Sequence, residues 1–156
     1  MKYRRDYQET HDIDFFFKYK NRFFHAASNG GILPDGIDSR INRRFQEIIE
    51  NIDDNIDVIT NEYRAVIASN ITDYYDLEDD LNFNSFLRYA AMGFISIDRT
   101  CDEYCYNEYG EIVENQHEYH VVARPENRWN MMVPSEILRS LPDLSDLDLE
   151  ISGFEG

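Results

Sequence analysis

Ile13-Asp14-Phe15-Phe16-Phe17-Lys18-Tyr19-Lys20-Asn21-Arg22-Phe23-Phe24-His25-Ala26-Ala27 decides the fold class. Ile13 to Phe17 and Arg22 to Ala27 are two runs rich in side chains that suit a pleated, half-buried surface. Lys18-Tyr19-Lys20-Asn21 between them is turn-like, so the stretch predicts a β-hairpin. Ser28-Asn29-Gly30-Gly31 ends the second strand, because Asn and Gly accept a positive φ. Pro34-Asp35-Gly36 marks a second turn, and residues 1–11 are polar and read as frayed or edge-like.

Downstream of the hairpin the period changes to that of helices. Ile41, Phe45, Ile48, Ile49 and Ile52 fall on one helical face, opposite Arg40, Arg43, Arg44, Glu47 and Glu50. Asp38 or Ser39 caps the start, and Arg43–Glu47 is an i,i+4 pair. A second helix is expected over 56–71 from Ile56, Ile59, Tyr63, Val66 and Ile67, with a strand at Ile56–Thr60 as the competing reading. A third runs from Asn84 to Met92 and ends at Gly93. Phe94 to Asp98 and Tyr119 to Ala123 then read as strands, pairing antiparallel around an acidic segment. Pro134-Ser135-Glu136 opens a short helix that Pro142 stops. Asp146 to Ile151 alternates acid and apolar, which suits an edge strand or a disordered tail, and 152–156 is expected to fray. Hairpin, about three helices, an antiparallel strand pair and a short final helix make an α+β order in a single domain over 1–156.

The composition supports a folded chain: 42% of residues are hydrophobic and 14% aromatic, too rich for disorder. No apolar run is long enough to span a membrane. The start, Met1 to His11, is not a secretory signal, and two cysteines make no disulfide framework, so a cytoplasmic location is expected. Charge is the strongest signal. The net charge is −16, yet residues 1–50 carry 8 acids and 9 bases, leaving 23 acids and 6 bases beyond. Such a surface repels phosphate backbones and anionic membranes, so direct nucleic-acid or membrane binding is not expected. A basic protein is the natural partner.

Catalytic and cofactor chemistry finds little footing. Cys101 and Cys105 are four apart, unlike a zinc knuckle, and their neighbours Asp102, Glu103 and Glu108 raise a thiol pKa. His117 and His120 would face opposite sides of a strand, and Glu118 with His120 lacks a third ligand. Ser28 has no nucleophile-elbow setting. Asn29-Gly30-Gly31 lacks the rest of a phosphate loop, and Asp76, Glu78 and Asp80 lack the glycine of a calcium loop. No catalytic residue, metal or cofactor is therefore assigned.

The acidic surface is the remaining candidate. One cluster is Asp73, Asp76, Glu78, Asp79 and Asp80. A second is Asp102, Glu103, Glu108, Glu111, Glu114 and Glu118, interleaved with Tyr104, Tyr106 and Tyr109. A third is Asp143, Asp146, Asp148, Glu150 and Glu155. Carboxylates steer encounter and tyrosines supply buried contact area. The charge exceeds the roughly 2–8 that solubility asks of a small domain. The expectation is a non-enzymatic acidic binding protein that neutralises a basic partner, as an inhibitor or immunity-type protein or as a nucleic-acid mimic. The alternatives are a small ligand-binding domain or enzyme with a pocket near the hairpin, using His25, Asn29, Arg99 or Arg124, and a structural assembly subunit.

Overall fold

The computed structural model describes residues 1–53, 65–67, 81–99, 119–126 and 131–154. The hairpin forms as expected: β1 (Asp14–Tyr19) pairs antiparallel with β2 (Arg22–Ala27), Phe16 opposite His25 and Lys18 opposite Phe23. Its turn is shorter than the sequence suggested. Only Lys20 and Asn21 lie outside the strands, at φ of 48° and 62°. Two successive positive φ values make the turn whose twist matches its strands.

Helix α2 (Ser39–Asp53) also forms. Asp38 caps it, its carboxylate accepting from the backbone N–H of Arg40 at 2.9 Å and of Ile41 at 3.0 Å. The buried stripe takes in two polar positions that the apolar pattern omits, Ser39 and Asn42. Asn42, Phe45 and Ile49 are buried while Ile41 is 43% exposed. Asn42 is inside because β1 is an edge strand whose polar backbone needs partners. Its Oδ1 accepts from Phe16 N–H, and its Nδ2 donates to the Asp14 carbonyl and the Tyr3 hydroxyl. Gln46 donates to the same Asp14 carbonyl. Further along, Lys18 N–H donates to the Pro142 carbonyl and Leu144 N–H to the Lys18 carbonyl. The exposed edge of the hairpin is thus sealed by side chains and by the C-terminal segment.

Residues 1–11 are not frayed. They contain α1 (Arg5–Thr10), with Tyr3 and Gln8 buried. Gln8 donates to the Tyr3 carbonyl and accepts from Leu33 N–H, which ties the segment down. The helix lacks an apolar period, so tertiary contacts hold it. The helix expected over 56–71 is overturned at its centre by β3 (Ala65–Ile67), which pairs antiparallel with β5. Val66 and Ile67 favour either state, and a free edge of the sheet decides for the strand. The remainder of that stretch lies outside the described residues.

Helix α3 (Leu81–Met92), β4 (Ile95–Arg99), β5 (Tyr119–Pro125) and the short α4 (Ser135–Leu138) follow the expected order. Gly93 closes α3 at φ 120°. β4 and β5 pair antiparallel, as expected, with a shift of register between Ser96 and Ile97. β2 pairs with β4 in parallel, a crossover that no local pattern announces. The strand order is β1-β2-β4-β5-β3 in a mixed, curled sheet. β5 shares its second edge between β3 and the two-residue β6 (Ile151–Ser152). One face of the sheet holds Phe15, Phe17, Tyr19, Phe24, Ile97, Tyr119 and Val121, covered by Leu33, Leu147, Leu149, Ile151 and Phe154. On the other, Phe16 packs with Phe45, Ile49, Phe94, Val133 and Leu138, and Ala27 and Val122 with Phe86. The C-terminal alternation is therefore an ordered cover, with Phe154 in contact with Phe24 at 5.0 Å between ring centres.

Candidate functional site

Both tyrosine-bearing or acidic clusters expected to bind a partner, 73–80 and 102–118, lie outside the described residues, as do Cys101, Cys105, His117 and Glu118. The third cluster is described as far as Glu150. Asp143, Asp146, Asp148 and Glu150 are exposed, and Leu144, Leu147 and Leu149 between them turn to the core. A turn at 145–147, closed by Leu147 N–H to the Leu144 carbonyl, separates Leu144 from the alternating run Asp146 to Glu150. Asp143 is held ionised: the Ser145 hydroxyl and then its backbone N–H donate to the carboxylate, with the Lys18 charge nearby, and its pKa falls below the ordinary value.

His25, expected near a pocket, is wholly buried. Its Nδ1 lies 2.6 Å from Ser96 Oγ and its Nε2 2.7 Å from Asp14 Oδ1. β1, β2 and β4 place the three side chains side by side across the sheet, since His25 pairs with Phe16 and with Ser96 in its two ladders. Tyr89 of α3 lies over the imidazole at 4.0 Å. Both ring nitrogens of His25 are thus hydrogen-bonded, one to the hydroxyl and one to the carboxylate. The residue types match a nucleophilic triad, but Ser96 and His25 are both 0% exposed. A nucleophile must reach its substrate within hydrogen-bond range. Ser96 is sealed off, so the chain is a satisfied polar insertion in the core. Asp14 and Ser96 were not singled out in the sequence; their only signal is that each is polar within a strongly apolar strand.

His120 of β5 is buried too, and burial lowers its pKa from 6.5 to about 4. It stands opposite Asp98 in the β4–β5 ladder. Among the described residues no group of three or more His, Cys, Asp or Glu side chains could hold a metal ion. Asn29 and Gly30 form a left-handed turn closed by Gly31 N–H to the Ser28 carbonyl. Arg99 lies directly on that turn: a Cβ at Gly31 would come within 2.3 Å of its Cδ and Nε. Arg124 is exposed on β5, opposite Val66.

A groove does adjoin the hairpin, but different residues make it. Lys18, Phe23, Ser135, Leu138, Arg139, Leu141 and Asp143 line a space of about 440 Å³. Phe23, Leu138 and Leu141 form its floor and belong to the helix-covered core. Sequence reasoning did not join these residues because they come from β1, β2, α4 and the segment after it, which only the fold brings together. No helix among the described residues is long and apolar enough to cross a membrane. No family model, no curated protein and no solved structure matches the chain.

Proposed function

We propose that this protein binds a basic protein partner through carboxylates of its acidic half, without catalysis. The observation that carries the reading is the segment from Asp143 to Glu150, in which leucines enter the core and carboxylates face solvent. The apolar side chains anchor the row, so the charges are presented on an ordered backbone. Fixed charges steer a cationic partner and set its orientation. The chain-wide charge of −16 supplies the long-range field. Inhibition of a cationic enzyme or occupation of a nucleic-acid groove are the two modes this surface serves.

The test is capture on the immobilised protein from cells of its own source at low salt, then identification of what salt elutes and titration of the purified pair. A triple variant, Asp146→Asn, Asp148→Asn and Glu150→Gln, is measured beside the wild type. The reading requires a cationic partner whose affinity falls with salt and falls further in the variant. Retention of no cationic protein, or an affinity indifferent to salt, overturns it.

A further inference from the structure

The groove between the hairpin and α4 has a chemistry distinct from the acidic row. Its volume of about 440 Å³ lies in the range of small-molecule sites, which run roughly 300–1,000 Å³ and combine an apolar lining with a few polar groups. Lys18 and Phe23 are cross-strand partners of the hairpin and so share one face of it. Ser135, Leu138 and Arg139 stand at i, i+3 and i+4, one side of the α4 turn. The rim is therefore cationic over an apolar floor. Neither Lys18 nor Arg139 forms an ion pair among the described residues. Asp143, the third charge at the rim, accepts hydrogen bonds from Ser145 and lies near the Lys18 charge. Two cations and one carboxylate leave a single positive charge to be matched. The backbone bonds from Lys18 to Pro142 and from Leu144 to Lys18 fix this rim in place.

We propose that this groove binds a free medium-chain fatty carboxylate, its alkyl chain on Phe23, Leu138 and Leu141 and its carboxylate between Lys18 and Arg139. An apolar floor selects the chain by area removed from water. A guanidinium is matched in shape by a carboxylate, and one net positive charge is matched by a monoanion rather than a dianion. The site shares Asp143 with the acidic row, but it does not depend on that row binding a partner.

The experiment is isothermal titration of the full chain with decanoate, decanol, decyl phosphate and decyltrimethylammonium, all below their micelle concentrations. One-to-one saturable binding of decanoate is expected, weaker by about tenfold for decanol, which lacks the charge-assisted bonds. Decyl phosphate is expected to bind less tightly than decanoate, and the cation not at all. Lys18→Gln with Arg139→Gln should cost decanoate about tenfold and leave decanol unchanged. Ser135→Trp, at an exposed position on the groove wall, should block both ligands while thermal unfolding stays at the wild-type temperature. Equal affinity for decanoate and decanol, wild-type binding by either variant, or no saturable binding overturns the proposal.

Discussion

The two faces of the sheet bury different chemistry. The face of Phe15, Phe17, Tyr19, Phe24, Ile97 and Tyr119 is apolar and is closed largely by irregular chain, from Leu33 to the C-terminal tail. The face of Phe16 is closed by α2 and α3, and it contains Asn42 and the Asp14–His25–Ser96 chain. Burial of apolar area is non-directional, so a loop serves as cover provided its own backbone groups are bonded. The tail meets that condition with Tyr119 N–H to the Glu150 carbonyl and Leu144 N–H to the Lys18 carbonyl. A polar chain is directional and needs one register and one rotamer at each member. Among the described residues no buried side-chain nitrogen or oxygen lacks a partner. Both faces bury a large apolar cluster, and the helix-covered face adds a directional polar chain that links β1, β2 and β4.

Truncation on the apolar face should produce the largest effect. Phe24 is fully buried and stacks on Phe17 at 5.3 Å with planes 4° apart. Phe24→Ala is expected to cost about 3–5 kcal/mol in urea unfolding, through lost burial and a cavity. A loss under about 1 kcal/mol would show that the loop cover collapses into the space. On the other face Ser96→Ala leaves His25 Nδ1 without its partner and should cost about 1–3 kcal/mol. With His25→Leu added, the double variant should lose less than the sum of the two single losses, since ring and hydroxyl act as a unit. Strict additivity would remove the idea of a coupled chain.

Acid should act on the same face next. The His120 pKa lies near 4 in the fold, against 6.5 ordinarily, because burial disfavours the charged ring. The unfolded chain therefore binds a proton more readily in that interval. Stability is whole above pH 6.5, falls as pH drops from there, and stops falling from this cause below about 4. Between pH 7 and pH 5 this amounts to about 1–2 kcal/mol, and His120→Gln should flatten that part of the profile in urea titrations. The smallest effect belongs to the turn that sets the hairpin register for both faces. Lys20 at φ 48° and Asn21 at φ 62° are replaced by Asn and Gly, residues that prefer this turn. The gain should be about 1 kcal/mol in thermal unfolding, and a loss would show that the Lys20 side chain over the Tyr19 ring outweighs it.

The elements that could be read from residue order are those whose cause is local. Alternation and turn residues mark the hairpin, the apolar period marks α2, and Gly93 marks the end of α3. Helix α1 escaped because its six residues carry no apolar period and rely on Tyr3, Gln8 and Leu33. β3 escaped because Val66 and Ile67 fit helix and strand alike until the edge of β5 is present. At the candidate sites, His25 was visible as a histidine among aromatic residues, but the acceptor and hydroxyl that hold it come from 11 and 71 positions away. The groove draws on β1, β2, α4 and the segment after α4, so no spacing along the chain identifies it.

Residue order by itself determined the α+β class, the hairpin, the main helices and the strongly negative charge of residues 51–156, because each follows from side-chain type and short-range period. Tertiary structure alone decided the parallel pairing of β2 with β4, the burial of His25 and the groove beneath Lys18 and Arg139. These depend on contacts between distant segments, whose free energy comes from shared burial and paired hydrogen bonds rather than from any local preference.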